Sequence, residues 1–208
     1  MRAVIFDLDG TLIDAAPDLT FKLNQILVAE GLAPVTLQAV RGMIGDGPQA
    51  LVRRAFAAQG QQMQERHLEA FLALYPQAPE RHTEVYEGII PALTQIKAQG
   101  RRLGLCTNKP AAATAAVLNA MNLDAFFDTV MAGDTTPYRK PDPRHLAAAL
   151  AALDVTDAIM VGDHENDMQA AAALALPSIF CAWGYGVGQG TRQAKTPWEL
   201  PEMIANLG

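Results

Sequence analysis

Near its N-terminus the chain reads RAVIFDLDGTL over residues 2–12, and this stretch decides the fold. Its apolar run, residues 2–6, is typical of a buried strand. Asp7 and Asp9 follow that run, and Gly10 then permits a sharp turn. Ligands of open α/β sheets bind at the carboxyl ends of strands, so we expect both carboxylates to face one crevice. Their repulsion is costly unless a cation or a proton relieves it. Taken alone, the tripeptide is more typical of an acidic turn after an edge strand.

Three further motifs occur later in the chain. The second closes an apolar run at residues 103–106 with Thr107 and Asn108. The third is Lys140-Pro141, which lies next to the start of a predicted helix. The fourth, VGDHEND at residues 161–167, closes another apolar run. Each motif therefore places polar side chains where a strand ends or a helix begins.

In this order, the four motifs resemble those of the haloacid dehalogenase-like hydrolases. The resemblance covers essentially the whole chain, and four motifs in a fixed order are far more specific than any one of them. It implies a Rossmann-like catalytic core with an inserted α-helical cap, and a phosphatase that works through an aspartyl-phosphate.

Composition narrows the classes of partner. The chain has 208 residues, half of them hydrophobic, with 16 Lys and Arg against 22 Asp and Glu, giving a net charge of -6. This balance argues against nucleic acid or an anionic membrane as the main partner. An anionic substrate stays open, because a metal and a few local cations can set the field of a pocket. No segment is apolar for long enough to span a bilayer, and the chain enters a strand at once instead of a signal peptide. Cys106 and Cys181 lie in strand-like runs, which is typical of reduced core thiols in a cytoplasmic protein.

Helical and strand-like patterns alternate from about residue 92 onward. The predicted helices cover residues 92–99, 109–121, 143–153, 166–173 and 197–206. The predicted strands cover residues 101–107, 129–132, 158–162 and 178–182, the last of which ends the sheet. Such alternation predicts an α/β fold with a doubly wound parallel sheet and helices on both faces. We predict that the catalytic core comprises residues 1–15 and 84–208.

Residues 16–83 follow a different pattern, with three helical periodicities and no convincing strand. The three apolar faces consist of Leu19, Leu23, Ile26 and Leu27; of Leu51, Ala55 and Phe56; and of Leu68, Phe71, Leu72 and Tyr75. We interpret this segment as a separate helical bundle inserted after the first strand, corresponding to the cap of the resembled family. Its hinges are predicted at residues 13–16 and 84–88.

The resemblance assigns roles in catalysis or phosphate binding to five residues. Asp7 is the nucleophile, and Asp9 is the general acid that protonates the leaving oxygen and then the base that activates water. Thr107 offers its hydroxyl, and Asn108 its backbone N–H, to the phosphoryl oxygens. Lys140 supplies the charge that holds Asp7 and the phosphoryl group together. Considered alone, Thr107 is more typical of a strand residue with a satisfied hydroxyl.

The fourth motif predicts a metal site. Asp163 and Asp167 are four residues apart, which brings both carboxylates to one side of a first helical turn. Hard oxygen ligands of this kind suit Mg²⁺, although acids at a helix start also satisfy the helix dipole. By resemblance, the ligands are Asp7, the backbone carbonyl of Asp9, Asp163 and Asp167. His164 is not counted as a ligand, and its role stays open.

Within the predicted cap, RGMIGDGP at residues 41–48 resembles the cap loop of phosphoglycolate phosphatases, whose substrate carries a carboxylate as well as a phosphate. Gly47 and Pro48 are typical of an N-cap and a first helical position, and such a helix start offers N–H groups to an anion. We predict that Arg41, Gly45 and Gly47 bind substrate. The alternative is a tight turn between two helices with a solvated Arg41.

Together these features predict a Mg²⁺-dependent phosphatase for a small phosphorylated metabolite, 2-phosphoglycolate above all, acting as a monomer or homodimer without nucleic acid or membrane. A phosphosugar mutase similar to β-phosphoglucomutase, or a phosphatase for a sugar phosphate or pyrophosphate, stays open because the cap decides the substrate. Asp9 argues against a dehalogenase. Lys22, the only lysine of the predicted cap, has no further support as the Schiff-base residue of a phosphonate hydrolase. A non-enzymatic binding module would be expected to lack at least one motif residue.

A glycine-rich stretch and three histidines show no functional pattern. The stretch GYGVGQG at residues 184–190 lacks the ending of a phosphate-binding loop, so we predict a mobile loop after the last strand. His67, His82 and His145 show no metal-ligand spacing, and we predict that they lie at the surface.

Overall fold

A computed structural model describes residues 1–74 and 82–208. Its strands are β1 (Ala3–Phe6), β2 (Ile13–Asp14), β3 (Glu84–Val85), β4 (Leu103–Cys106), β5 (Thr129–Met131), β6 (Ala158–Gly162), β7 (Ser178–Cys181) and β8 (Arg192–Ala194). Its α-helices are α1 (Ala16–Ala29), α2 (Leu37–Arg41), α3 (Pro48–Ala58), α4 (Glu65–Ala73), α5 (Ile89–Ala98), α6 (Ala111–Ala120), α7 (Pro143–Ala152), α8 (Glu165–Ala173) and α9 (Leu200–Asn206). Short 3-10 turns cover Asp124–Phe126 and Pro197–Glu199.

Six parallel strands form the main sheet, in the order β5-β4-β1-β6-β7-β8. The apolar strand β1 lies inside this sheet, and all four of its residues are buried. A parallel strand covered on both faces needs apolar residues at successive positions, which explains the unbroken run before Asp7. The predicted α/β class with a parallel sheet is confirmed.

Alternate residues of the central strands supply two hydrophobic layers. Val4 and Phe6 of β1 belong to a layer that includes residues of α5, α6 and α9. Ile5, between them, belongs to the opposite layer, which includes residues of α7 and α8. The helices therefore pack on both faces of the sheet, because successive strand side chains point to opposite faces.

The sheet has one strand more than the sequence predicts. The prediction that residues 178–182 form the last strand is wrong, because β8 adds beside β7 with Ile179 opposite Arg192. Arg192 and Gln193 are exposed in this edge strand. A short strand with polar, exposed residues shows no hydrophobic alternation, which is why the pattern gave no signal.

Within its described residues, the segment predicted as the cap contains four helices, whereas the sequence shows three helical periodicities. The additional one, α2, spans only five residues and begins at a Thr36 N-cap. Gly47 and Pro48 are the N-cap and first residue of α3, as predicted. We call residues 16–83 the cap segment; Tyr75, assigned to its third apolar face, lies outside the described residues.

One hydrophobic cluster is continuous between the cap segment and the sheet. It joins Leu23, Phe56 and Phe71 of the cap helices to Leu8 and Leu12 beside β1. The hinges themselves pair as a small antiparallel sheet, with Ile13 of β2 opposite Val85 of β3. Strands of two residues are too short to show a period, so this pairing had no sequence signal.

Candidate active site

Three strands bring polar side chains to the same edge of the sheet. Asp7 follows β1, Thr107 follows β4, and Asp163 follows β6. Since β1 lies between β4 and β6 in a parallel arrangement, the three residues face one crevice at the carboxyl ends of the strands.

Three carboxylates converge in this crevice: Asp7, Asp163 and Asp167, which we call the acidic cluster. One oxygen from each lies within 4.8 Å of the others. Lys140 donates to Oδ1 of Asp7 at 2.7 Å and to Oδ1 of Asp167 at 2.6 Å. The lysine side chain is 2% exposed, so its charge is matched by protein groups and not by water.

A second ion pair was not predicted from the sequence. Lys109 donates to both carboxylate oxygens of Asp9, at 3.1 and 3.2 Å. Its side chain is 2% exposed and that of Asp9 is 14% exposed. Lys109 comes directly after Thr107 and Asn108, so its position beyond the end of β4 was the available signal.

The local charge balance favours a cation. The acidic cluster and Asp9 supply four carboxylates, and Lys140 and Lys109 supply two ammonium groups, which leaves two negative charges when all are ionised. Burial, reinforced by the charge of Asp7, raises the pKa of Asp163 to about 8. Hard oxygen donors with excess negative charge are the environment that a divalent ion such as Mg²⁺ prefers, so the cluster could hold a metal.

Both lysines lower the pKa of the acids beside them, against the effect of burial. Burial raises the pKa of Asp9, while the Lys109 charge opposes that rise. Burial alone would lower the pKa of Lys140, but its contacts with Asp167 and Asp7 outweigh this and raise it. Lys140 is therefore a permanent cation at neutral pH.

Both oxygens of Asp167 have protein partners. Oδ1 accepts from Lys140, and Oδ2 accepts from the backbone N–H of His164 at 3.1 Å. His164 is the N-cap of α8, and its Nδ1 accepts from the backbone N–H of Asn166 at 3.2 Å. Asp167 thus positions Lys140 and the start of the helix as well as belonging to the acidic cluster.

A cradle of small residues and N–H groups surrounds Asp163. Thr11 Oγ1 donates to its Oδ1 at 3.0 Å, and the backbone N–H of Tyr185 donates to its Oδ2 at 2.8 Å. A Cβ added to Gly10 or Gly184 would lie 2.2 Å from Asp163 atoms. The sequence predicts only a mobile loop for residues 184–190, here called the glycine-rich loop. Its packing on Asp163 is a tertiary contact that no local pattern reveals.

Asn108 links the cap segment to the core through its side chain. Its Nδ2 donates to the carbonyls of Gly45 and Lys140, both at 2.9 Å, and its Oδ1 accepts from the backbone N–H of Lys140. A Cβ added to Gly47 would lie 3.1 Å from the Asn108 carbonyl. Two glycines of the cap loop therefore allow the cap backbone to approach the core closely.

The cap loop and the core enclose a cavity of about 40 Å³. Its core lining consists of Asp7, Asp9, Thr107, Asn108 and Lys109, and its cap lining consists of Leu19, Ile44, Gly45, Gly47, Pro48 and Leu51. The predicted residues Gly45 and Gly47 thus lie beside the catalytic candidates. The charged groups come from the core, whereas the cap side chains at this cavity are apolar.

Arg41 does not line this cavity. Its Nη2 donates to Oδ2 of Asp14 at 2.8 Å, so the guanidinium is directed to the hinge strand β2. The structure therefore does not bring Arg41 together with the other predicted substrate-binding residues.

Two of the histidines predicted at the surface are buried, and that prediction is wrong for both. His145 is fully buried, and its Nε2 donates to the Thr107 carbonyl at 3.1 Å. Burial lowers its pKa, which favours the neutral ring in this contact. His67 stacks on Phe56 with 4.1 Å between ring centroids. His82 is exposed, as predicted. Each buried ring has a specific protein partner in place of water. The spacing of histidines along the sequence cannot predict such contacts.

The fold and the order of these groups define a class of enzyme. The family model of the haloacid dehalogenase-like hydrolases matches residues 4–181. The chain belongs to this family, and it is a phosphoric monoester hydrolase of the phosphoglycolate phosphatase-like type.

Similar proteins from two bacteria are phosphoglycolate phosphatases. A phosphoglycolate phosphatase from Caulobacter vibrioides is 39% identical over 188 residues, covering 88% of this chain and 79% of that protein. One from Cereibacter sphaeroides is 41% identical over 190 residues, covering 89% of this chain and 87% of that protein. A solved structure from Haemophilus somnus, described as a predicted phosphoglycolate phosphatase, superposes with a TM-score of 0.89. It covers 98% of this chain and 97% of that one, and at 24% identity it supports the fold alone.

Within residues 1–74 and 82–208, none of the helices combines the length and the apolar character that crossing a bilayer requires.

Because Asp163 binds a proton more tightly in the folded state, the cation-free protein should become less stable as pH rises and this proton is lost. The Asp163 pKa of about 8 lies above the ordinary 3.8, so the folded state binds more protons than the unfolded chain between these values. This contribution to stability is lost as pH rises through that window. In chelator, we expect Tm to fall between pH 6 and pH 8, by about 2–4 °C for each kcal/mol lost. Asp163→Asn should reduce the fall; an unchanged slope in scanning calorimetry would contradict the assignment.

Gly184→Ala should disrupt the cradle around Asp163. The new Cβ would lie 2.2 Å from Asp163 Cβ, so either the loop or the acid must shift. We expect a loss of about 1–3 kcal/mol in the free energy of unfolding and a clear loss of phosphatase activity. Gly42→Ala is the control, because its Cβ would meet only the Ala39 carbonyl at 3.6 Å. Equal stability and activity in both variants would show that the close approach is unimportant.

Proposed function

We propose that this chain hydrolyses a small phosphate monoester, 2-phosphoglycolate above all, through an Mg²⁺-dependent aspartyl-phosphate at Asp7. The observation that carries the proposal is the placement of Asp7 in the cavity, 2.7 Å from the buried ammonium of Lys140 and beside a second carboxylate, Asp9. A nucleophile, a fixed cation and an acid-base group thus converge on one small space.

The two carboxylates divide the chemistry between them. One oxygen of Asp7 attacks phosphorus and forms the acyl phosphate bond as the bond to the leaving oxygen breaks. Protonated Asp9 gives its proton to the leaving oxygen, so the product leaves with a hydroxyl group and not as an alkoxide. Asp9 then removes a proton from water, which attacks phosphorus and frees both phosphate and Asp7. Burial, which favours the protonated form of Asp9, suits its first role.

Other groups fix the reacting partners. Lys140 holds Asp7 in position through the 2.7 Å contact and offers positive charge to the phosphoryl group. Thr107 lines the cavity, where its hydroxyl can donate to a phosphoryl oxygen. His145 supports Thr107 through the carbonyl on its other side. Since charge spreads over three equatorial oxygens during transfer, several fixed donors are more useful than one.

The acidic cluster, together with the Asp9 backbone carbonyl, would hold Mg²⁺. Two observations support this assignment: one oxygen of each carboxylate lies within 4.8 Å of the others, and the four acids exceed the two lysines by two negative charges when all are ionised. When bound, the ion supplies charge neutralisation between the Asp7 carboxylate and the anionic substrate, which otherwise repel each other.

The shape and chemistry of the cavity support a compact leaving group. The cap contributes Leu19, Ile44 and Leu51, which offer no hydrogen bonds to the hydroxyl groups of a sugar. A phosphosugar mutase or sugar phosphatase would leave several such hydroxyls unpaired. Among the residues that line the cavity, Lys109 carries the positive charge, so it is our candidate partner for a substrate carboxylate.

The test of this function is phosphate release from a panel of monoesters and pyrophosphate, with Mg²⁺ and with chelator. We expect 2-phosphoglycolate to give the highest kcat/KM, and chelation to abolish turnover until Mg²⁺ is restored. Asp7→Asn should lose activity by several orders of magnitude while remaining folded, because an amide is a poor nucleophile. Full activity in excess chelator would refute the metal assignment, and an active Asp7→Asn would refute the nucleophile.

Carboxylate recognition can be separated from catalysis with two substrates of similar size, 2-phosphoglycolate and ethyl phosphate. Lys109→Ala should weaken use of both, because it removes the partner of Asp9, but should weaken phosphoglycolate use about tenfold more. Arg41→Ala should change both substrates by the same factor, since Arg41 is directed to Asp14. Selective loss of phosphoglycolate use in Arg41→Ala would restore Arg41 as the carboxylate partner and remove Lys109 from that role.

A further inference from the structure

Asp14, a carboxylate outside the cavity, joins three parts of the molecule. It belongs to the hinge strand β2. Its Oδ1 accepts from the hydroxyl of Tyr185, in the glycine-rich loop, at 2.6 Å. Its Oδ2 accepts from Arg41, at the end of α2 in the cap segment, at 2.8 Å. One side chain therefore contacts hinge, cap and core loop at once.

Tyr185 is anchored at both of its ends. Its backbone N–H donates to Oδ2 of Asp163 at 2.8 Å, and that of Gly186 donates to the same oxygen at 3.4 Å. At the far end, its hydroxyl donates to Asp14 and accepts from the backbone N–H of Ala16 at 3.1 Å. A displacement of the hinge thus acts on the residue that fixes one oxygen of Asp163.

The contact on the cap side is a limited one. Arg41 bonds Asp14 through Nη2 alone, and its buried Nε has no hydrogen-bond partner among the described residues. A single contact from a guanidinium is weaker than the bidentate arrangement that arginine can form with a carboxylate. This pair can therefore separate and re-form at a lower cost than a bidentate pair.

We propose that Asp14 is a positioning residue that couples the cap segment to the metal site, acting through Tyr185 on Asp163. The inference rests on the proposed function, because it assumes that Asp163 binds Mg²⁺. When the cap segment is seated, Arg41 and Tyr185 hold Asp14 from two sides, and the Tyr185 N–H keeps Asp163 aimed at the cluster. Loss of either contact loosens Asp163 and weakens Mg²⁺ binding, without removing any group that touches substrate.

Tyr185→Phe and Asp14→Asn test the coupling in the full-length protein. The first removes only the phenol hydroxyl, and the second keeps the shape of Asp14 but not its charge. Two quantities are measured: the Mg²⁺ concentration that gives half-maximal phosphate release, and the rise in Tm caused by a fixed Mg²⁺ concentration. We expect the half-maximal concentration to rise about three- to tenfold in each variant, the Tm rise to shrink, and kcat at saturating Mg²⁺ to change little.

Tyr138→Phe is the matched control, because Tyr138 does not belong to this network. Its ring instead packs against Arg144, with 3.7 Å between the guanidinium carbon and the ring centroid. It should leave both Mg²⁺ readouts at wild-type values. Arg41→Ala combined with Tyr185→Phe should raise the half-maximal concentration by less than the product of the single effects, since both act through Asp14.

The possible outcomes distinguish a failure of the coupling from a failure of the proposed metal site. If Tyr185→Phe and Asp14→Asn lower Tm without Mg²⁺ but leave both Mg²⁺ readouts unchanged, Asp14 has a structural role only, and the coupling is refuted. Strictly multiplicative effects of Arg41→Ala and Tyr185→Phe would also refute it. If the wild-type protein itself shows no Mg²⁺ response in Tm or turnover, the proposed metal site fails, and the coupling fails with it.

Discussion

Carboxylates at the carboxyl edge of the sheet repel one another, and they do so partly out of water, where the repulsion is strongest. Two buried lysines reduce this repulsion from opposite sides: Lys140 lies between Asp7 and Asp167, and Lys109 faces Asp9. Neither lysine could be buried without its acids, and the acids could not be buried together without the lysines. The negative charge that remains when all four acids are ionised means that this edge could hold a divalent cation.

Close packing is the second requirement of this edge. Asp163 lies between Gly10 and Gly184, at a distance that a Cβ on either glycine would make impossible. The glycine-rich loop is therefore part of the wall of the site, and its N–H groups take the place of water around one carboxylate oxygen. An acid held in this way loses solvation but keeps hydrogen bonds, which leaves its geometry fixed while its charge is still poorly compensated.

The order of motifs along the chain was sufficient to predict the α/β class, and it led to the predictions for Asp7, Asp9, Lys140 and Asp163, because all but Lys140 follow strongly apolar strands. The residues that were missed depend on tertiary contacts with no local period. Lys109 reaches Asp9 only because β4 lies beside β1 in the folded sheet. Tyr185 contacts Asp163 through its backbone N–H and Asp14 through its hydroxyl. The edge strand β8 was not predicted for the opposite reason: its exposed, polar residues are typical of a loop. His145 illustrates a third case, in which a polar ring is buried because the Thr107 carbonyl and the Thr136 hydroxyl satisfy its two nitrogens.

The cap segment and the core contribute different kinds of side chain to the cavity, and the cap cation expected there, Arg41, is not among them. The cap loop contributes apolar side chains and glycines to the cavity, whereas the charges come from the core. An apolar wall discriminates by the cost of desolvating polar groups that it cannot pair, and this penalises a leaving group that carries many hydroxyls more than a compact one. Arg41, the cation of the cap loop, instead contacts the hinge through Asp14. In the function that we propose, the cap acts on selectivity by excluding polar groups and by its packing on the core, and the substrate carboxylate is recognised by a cation of the core.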